Sequence, residues 1–525
     1  MRAWIDSLLL AHGWRRVGVA ALAGLLTAGA LPPINAWPLA IVGFGLLVVL
    51  IDGMSTASGW RRKALSSFLI GWGFGFGYHI GGLWWLGAPF LVEPDRFAWA
   101  LPLGVAGLPA GLAIFSGLGV ILANALWSAS PWRIAALALG LGLLEMARGT
   151  VLTGFPWNAL GHIVAATDVG LQSASLVGLY GLGFLAVLMA ATPILILTDG
   201  VRQARGALLT SATLLVLIAG FGAWRLQASE DNVPGVGVHI VQPLLTQTER
   251  LDPANADRIV DRLFEMTARP GPLARPTTLV IWPESTLPFL LSNNPQLLPR
   301  IGQILSPGQF LVLGAARGEA TGPRREDFAV YNSLYAFDHR AMLLDRYDKV
   351  HLVPFGEYLP FANILSALGL EALTRRGYTP GVSRAPISLP GLPSFIPAIC
   401  YEIIFPSTLI GDNIRPGFIL NISDDSWFGD TPGPRQHLLQ ARVRAVEEGL
   451  PVLRGTTTGI SAIIDGYGRI RASLPLGRAG SLHGEIPTAL FPPLYASFTI
   501  VASVALPILL LLLVFFARRS LGQRR

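Results

Sequence analysis

Three side chains suited to acyl chemistry each close a run that reads as a strand, and the apolar run before Cys400 reads as a buried one. Cys400, the only cysteine in the 525-residue chain, follows Ser394-Phe395-Ile396-Pro397-Ala398-Ile399. Glu284 closes Leu279-Val280-Ile281-Trp282-Pro283-Glu284, and Lys349 closes the run from Met342 to Asp348. A strand end is where a sheet delivers a side chain to a site. A thiol can act as nucleophile once its proton is taken. A carboxylate can take that proton, and an ammonium can favour the thiolate and then stabilise an oxyanion. Taken singly, Cys400 also reads as a small buried hydrophobe, and each glutamate as a surface or ion-pair residue. Glu357, at the end of Lys349-Val350-His351-Leu352-Val353-Pro354-Phe355-Gly356-Glu357, can hold the lysine or share proton transfer. Glu402, beyond Tyr401, can do either from the other side.

What must position these groups begins with a membrane. The chain is 52% hydrophobic and only 14% charged, where soluble proteins carry roughly 25% charged residues. One cysteine excludes an internal disulfide. The net charge of +7 comes with cations at the ends of apolar stretches, where membrane topology explains them. With no zinc-type cysteine spacing, phosphate loop or basic-aromatic stripe, the sequence predicts no metal, no cofactor and no nucleic-acid partner. The first apolar run follows Arg15 and Arg16 without a small-residue cleavage site, so it is expected to stay as a span.

A membrane helix needs roughly 20 apolar residues. Candidates lie near 17–33, 36–52, 65–88, 98–128, 132–148, 172–197, 206–225 and 495–516. The first two should form a tight hairpin around Pro32-Pro33, and 98–128 can hide a break at Pro102 or Pro109. Arg15, Arg16, Arg61, Arg62, Lys63, Arg133, Arg202, Arg205, Arg518, Arg519, Arg524 and Arg525 then share one face, which positive-inside makes cytoplasmic. Seven spans before residue 227 put 227–490 on the opposite side. The expected domains are 1–226 (membrane), 227–490 (catalytic) and 491–525 (last span and basic tail).

From 235 the pattern changes to strands at 236–241, 279–283, 310–315, 330–337, 342–348, 394–400, 418–423, 451–456 and 460–465. Amphipathic helices are expected over 254–268 and 435–448. Alternating strands and helices predict an α/β domain. Residues 359–385 interrupt the rhythm with Phe361, Ile364, Leu365 and Leu368; an interfacial helix or lid and a satellite core helix both fit, and Thr286–Leu298 raises the same choice. In the membrane domain, Gly71, Gly73, Gly75 and Gly77 predict close helix packing rather than a nucleotide loop. His79, Trp84 and Trp85 read as interfacial anchors. Glu145 and Arg148 form an intramembrane pair, functional or structural. Thr153-Gly154-Phe155-Pro156-Trp157-Asn158 reads as a rigid segment at the lipid surface, either bordering a lipid path or anchoring its loop.

Trp-Pro-Glu at 282–284, Asp-Lys-Val-His-Leu-Val-Pro-Phe-Gly-Glu at 348–357 and Cys-Tyr-Glu at 400–402 resemble the Glu-Lys-Cys signature of the nitrilase superfamily. Gly-Phe-Gly-Tyr at 75–78, Leu-Thr-Gly-Phe-Pro-Trp at 152–157, Asp-Asp-Ser-Trp-Phe-Gly-Asp at 424–430, Gly-Pro-Arg-Gln-His at 433–437 and Arg-Ala-Val-Glu at 444–447 narrow the resemblance to the apolipoprotein N-acyltransferase family. The resemblance spans nearly the whole chain. It implies a polytopic α-helical membrane domain of about eight spans joined to a nitrilase-like α-β-β-α sandwich. It implies residence in the bacterial inner membrane with the sandwich in the periplasm. It implies transfer of a fatty acyl chain from a phospholipid, preferably phosphatidylethanolamine, through a thioester to the α-amine of the diacylglyceryl-cysteine of an apolipoprotein. Cys400 is then the acyl-accepting nucleophile, Glu284 the general base and Lys349 the oxyanion partner, with Glu357, Tyr401 and Glu402 in support. The chain departs from the family pattern at Gln242-Pro243-Leu244-Leu245-Thr246-Gln247, where relatives often read Gln-x-Asn-Ile-Pro-Gln, and at Leu251, where they carry tryptophan. Asp424 stands where asparagine is common; the Asp424-Asp425 pair reads as a strand-end turn and His437 as structural. Two other classes compete: a membrane-tethered amidase or nitrilase that resolves the thioester with water, and a non-enzymatic transporter or scaffold.

Overall fold

The computed structural model describes residues 2–54, 59–269, 271, 275–322, 328–360, 377–411 and 414–522. Each predicted apolar stretch contains a helix: Gly13–Ala28, Pro38–Asp52, Trp60–Leu83, Leu108–Ala125, Arg133–Arg148, Ala174–Ala191, Val201–Arg225 and Thr499–Gly522. Among the described residues, four helices are long and apolar enough to cross a membrane: Pro94–Ala125, Ala174–Thr198, Val201–Arg225 and Thr499–Arg519. The chain is therefore a membrane protein. The stretch over 98–128 does carry an irregularity, since Leu103–Gly107 winds as a π-helix after Pro102. Proline removes a backbone donor, which the wider turn accommodates.

Charges tie helix ends together. Arg133 is buried between Asp52 at 2.9 Å and Asp199 at 2.7 Å. Arg16 donates to the Gly53 carbonyl at 3.2 Å. These contacts gather the starts of two helices and the ends of two others at one end of the helical body, so the chain runs up and down. The glycine spacing works as predicted. Gly71 and Gly75 lie against Ser116 of the Leu108–Ala125 helix, while Gly73 and Gly77 lie against Val17 and Ala21 of the Gly13–Ala28 helix. A Cβ on Gly77 would overlap the Ala21 carbonyl. Small residues thus let one helix touch two partners along opposite flanks.

Beyond Arg225 the chain forms two sheets. Strands β1 (Asn232–Gln242), β2 (Thr277–Ile281), β3 (Gln309–Ala320), β4 (Phe328–Phe337), β5 (Leu343–Asp348), β6 (Phe395–Ile399), β7 (Phe418–Ser423), β8 (Val452–Thr456), β9 (Ser461–Ile464), β10 (Ile470–Leu474) and β11 (Gly480–Pro487) follow in order. One sheet runs β11-β1-β2-β3-β4-β5 and the other β10-β9-β8-β7-β6. The strands β1-β2-β3 and β6-β7-β8 are parallel within each sheet. Alternation explains the layers. Leu279 and Ile281 of β2 meet Phe395, Phe418 and Leu420 between the sheets. Val280 faces the other way, onto Ile259 and Leu263 of the Ala256–Thr267 helix. Ile396, Ala398 and Ile419 face Ala441 and Ala445 of the Pro432–Glu448 helix. The result is an α-β-β-α sandwich.

Strands β10 and β11 were not foreseen, because their charged, short alternation lacks a strong apolar signal. Thr286–Leu298 is a satellite of the core, since Leu287, Leu291 and Leu297 pack beneath it. The segment over 359–385, for which an interfacial helix or lid and a satellite core helix both fit, falls mostly on 361–376, outside the described residues.

The Pro432–Glu448 helix also seats the sandwich on the membrane helices. Its Leu439, Val443 and Val446 pack against Ala159, Leu171, Leu179 and Leu182. Gln436 is buried in this seat. Its Oε1 accepts from Trp85 Nε1 at 3.1 Å and Trp157 Nε1 at 2.9 Å. Its Nε2 donates to the Pro32 and Gly82 carbonyls, both at 3.2 Å. Trp85 and Trp157 are thus joint residues rather than lipid-surface groups, and His79 is buried as well. An indole taken out of water needs an acceptor for its N–H, and here one amide serves two. Trp84 alone of the three expected anchors is exposed. Glu145 and Arg148 are a structural pair at 3.2 Å. Arg148 also donates to the Phe155 and Trp157 carbonyls, and Glu145 accepts from the Leu160 N–H, which holds the loop that carries Trp157.

Replacing Gly77 by valine should destabilise the helical body by about 1–3 kcal/mol, the usual cost of overpacking. Gly18→Val, where a Cβ meets open space, should change the detergent-phase unfolding midpoint little. Equal midpoints for the two variants would contradict the close approach.

Candidate active site

Trp282 is fully buried and donates from Nε1 to Thr267 Oγ1 at 2.8 Å. It anchors the end of β2, so Glu284 is carried to a fixed place. Gly314 of β3 passes directly behind, where a Cβ would lie 2.6 Å from the Glu284 Cα. Lys349 follows β5, whose last residue Asp348 is held by Arg317 at 3.1 and 2.9 Å. Cys400 follows β6 in a left-handed conformation, φ 51°, and opens a short 3-10 turn over Cys400–Ile404. For a non-glycine residue that conformation is strained. The strand ends thus bring the three predicted groups into one cluster, with Glu284 and Lys349 buried and Cys400 half-buried.

The Glu284 carboxylate accepts from Asn332 Nδ2 at 2.7 Å and from the Asp424 backbone N–H at 2.7 Å. The Lys349 ammonium lies 3.5 Å from Glu284 Oε1 and 3.0 Å from Glu357. Glu357 also accepts from Asn332 Nδ2 at 2.8 Å and the Val353 N–H at 2.7 Å. Glu357 is thus in direct contact with the lysine ammonium. Asn332 is a residue that sequence reasoning missed. It lies inside β4, bonds both carboxylates with one amide, and its carbonyl accepts the Lys349 N–H at 2.8 Å. Its only signal is an amide side chain, beside Ser333, in a strand of otherwise apolar and aromatic residues.

Glu402 does not join this cluster. It is fully buried and accepts from Tyr347 Oη at 2.7 Å, Val350 N–H at 3.0 Å, His351 N–H at 3.1 Å, Arg384 at 2.9 Å and Ile399 N–H at 2.8 Å. One carboxylate therefore clamps the backbone after Lys349 to the backbone before Cys400. Tyr401 points the other way and donates to the Gly154 carbonyl of the membrane domain at 3.1 Å. His437 is buried with Nε2 3.3 Å from the Cys400 carbonyl and Nδ1 3.0 Å from Asp425. Arg454 holds Asp425 at 2.7 Å. Tyr347, Arg384 and Arg454 were not singled out from sequence, because nothing local marks them.

Burial pushes the Cys400 thiol well above its ordinary value; Glu284 adds to the push, and the Lys349 ammonium opposes it. Burial likewise raises Glu284, against the pull of Lys349. Burial works against the Lys349 charge, but the Glu357 and Glu284 carboxylates outweigh it and hold the ammonium well above its usual range. Burial also opposes the Glu402 charge, yet Arg384 and the surrounding donors keep it below the usual carboxylate value. Burial and Arg454 lower His437, which keeps it neutral. The resting arrangement is a protonated thiol beside a carboxylate of raised basicity and a fixed ammonium. It can pass a proton from sulfur to Glu284 and receive negative charge on an oxygen beside Lys349.

The family model for carbon-nitrogen hydrolases matches residues 242–491, the whole sandwich but part of β1. The model for the apolipoprotein N-acyltransferase N-terminal domain matches residues 23–192. The molecule is a carbon-nitrogen hydrolase domain carried on a membrane-embedded helical body. A relative from Rhodopseudomonas palustris, named apolipoprotein N-acyltransferase, is 42% identical over 99% of this chain and 98% of its own. Relatives of that name from Allorhizobium ampelinum and Rhizobium meliloti are each 44% identical, over 90% and 92% of both chains respectively. The chain belongs to the apolipoprotein N-acyltransferase family, and it is an N-acyltransferase. Among solved structures, a CN-hydrolase superfamily protein from Xanthomonas campestris is 19% identical over 48% of this chain and 89% of its own, with a TM-score of 0.33.

Alkylation of Cys400 by iodoacetamide should show a pH midpoint above that of an ordinary cysteine. Lys349→Met should move it higher still, since the ammonium is the group that favours the thiolate. A midpoint that falls on removing the lysine would contradict the arrangement.

Proposed function

We propose that the protein acylates the N-terminal amine of diacylated lipoproteins in two steps through a thioester on Cys400. The observation that carries this reading is the half-buried thiol beside a buried carboxylate and ammonium at three strand ends, in a sandwich whose covering helix sits on apolar membrane helices. Glu284 takes the thiol proton as sulfur attacks the ester carbonyl of a phospholipid, with phosphatidylethanolamine as the preferred donor. The carbonyl oxygen becomes an oxyanion beside Lys349. The C–O bond breaks, and the departing lysophospholipid oxygen takes the proton from Glu284. In the second step the α-amine of a diacylglyceryl-cysteine attacks the thioester. Glu284 takes the amine proton, the C–S bond breaks, and the proton passes to sulfur. The amide forms and the thiol is restored. Splitting the transfer lets the lysophospholipid leave before the acceptor enters.

In this reading Glu357 keeps Lys349 charged and placed. Glu402 fixes the spacing of the two segments, and Tyr401 links the nucleophile's turn to the membrane domain. The helices form eight spans, with the loop cations on the cytoplasmic side. Residues 1–226 form the membrane domain, 227–490 the catalytic domain and 491–525 the last span with its basic tail. The enzyme resides in the inner membrane of a bacterium, with the catalytic domain in the periplasm. Contact with the helical body brings the thiol toward lipid-anchored substrates, which a soluble substrate would not require.

Incubated with phosphatidylethanolamine and no acceptor, the purified protein should gain the mass of one fatty acyl chain, and hydroxylamine should remove it. Cys400→Ala should gain none, and Glu284→Gln should form the adduct about 100- to 10,000-fold more slowly. Adding a diacylated peptide should clear the adduct and acylate the peptide amine. A wild-type protein that forms no adduct yet hydrolyses a simple amide would replace this reading with a hydrolase.

A further inference from the structure

Asp424 is buried at the end of β7, and its backbone N–H is one of the two donors that hold Glu284. Its own carboxylate accepts from Gln247 Nε2 at 2.7 Å, Ser426 Oγ at 2.6 Å and Thr457 Oγ1 at 2.6 Å. Arg250 meets it at 2.6 Å. The same guanidinium donates to the Ser285 carbonyl at 2.9 Å and to Gln247 Oε1 at 2.8 Å. Ser285 directly follows Glu284 and has a left-handed φ of 49°. Arg250 therefore grips the chain on both sides of the Glu284 carboxylate without being one of its ligands.

The charges make this grip more than mechanical. The groups that face Glu284 are Lys349 from the end of β5, Glu357 from the loop that follows, Cys400 from the end of β6 and Asp424 from the end of β7. Tyr378 lies close enough to sense Glu284, Glu357, Lys349 and Arg250. Asn332 from β4 contributes a neutral amide. Glu284 and Glu357 flank one ammonium, Asp424 adds a third carboxylate beside Glu284, and buried carboxylates are costly without counter-charge. Arg250 brings a second cation.

We propose that Arg250 and Asp424 form a charge-matched pair that sets the proton affinity of Glu284, with Arg250 acting as a positioning residue that does not touch substrate. The proposal rests on the reading of Glu284 as the general base. With both partners present, the Asp424 charge is cancelled locally and its backbone N–H is held toward Glu284. Without Arg250, an unpaired carboxylate beside the base favours the protonated form of Glu284. Without the Asp424 charge, an unpaired guanidinium favours the ionised form. The two single changes therefore act in opposite directions, whereas a purely structural brace would weaken the enzyme alike for either loss.

The test is the pH dependence of single-turnover thioester formation with phosphatidylethanolamine vesicles, read by intact mass. Wild type, Arg250→Gln, Asp424→Asn, the double variant and Glu284→Gln are compared as full-length proteins in detergent. Arg250→Gln should move the acid limb up by about one pH unit, and Asp424→Asn should move it down. The double variant should return close to wild type. Two single variants that lose rate equally at every pH, with no opposed shift, would overturn the proposal. If Arg250→Gln does not fold, an Asp424→Asn limb that stays put or rises would overturn it alone. A Glu284→Gln enzyme that still forms the thioester at the wild-type rate would instead overturn the base assignment.

Discussion

An ammonium withdrawn from water must be met by negative charge, and the site is arranged around that requirement at Lys349. The lysine side chain is fully buried. Glu357 and Glu284 flank it, and the amide of Asn332 keeps those two carboxylates apart while bonding to both. Removing one member leaves another buried charge unanswered, so the group behaves as a unit rather than as separable contacts. The same low-dielectric setting keeps the Cys400 thiol protonated at rest and raises the basicity of the carboxylate beside it.

Such a cluster is tolerated only on a rigid frame. Strand ends from both sheets supply its members, and the inter-sheet core of Leu279, Ile281, Phe395, Phe418 and Leu420 fixes the distance between those ends. Burying each such side chain contributes roughly 1.5–3 kcal/mol, enough collectively to offset strained backbone at Cys400, Ser285 and Phe355. Glu402 adds a tie between the two sheets, joining the chain after β5 to the chain before Cys400.

Much of this was legible in the sequence because it was local. Glu284 and Cys400 follow apolar strand runs, Lys349 closes the run that ends at Asp348, and the apolar helices and the glycine spacing carry their own periodicity. The rest depended on partners far away along the chain. Asn332 is one polar residue in a strand, and only the register beside β5 places it between two carboxylates. Strand β11 pairs with β1 across the whole domain, and its register could not be read from a segment of modest apolarity. Trp85 near a helix end has the composition of a lipid anchor; its acceptor, Gln436, lies in another domain. Asp424 read as a turn residue because its backbone N–H, which bonds to Glu284, has no signature in a side-chain pattern.

The seat at Gln436 leaves no slack. An amide can accept twice and donate twice, and here all four bonds go to residues of the helical body. Sliding the sandwich over that body would strand four buried polar contacts together. The sandwich is consequently mounted at a fixed height, without a hinge to absorb vertical displacement. When a bilayer thickens or thins around the helices, the depth of the thiol relative to the ester carbonyls of the surrounding lipid changes by the same amount. Lipid thickness then acts on the enzyme as a mechanical setting.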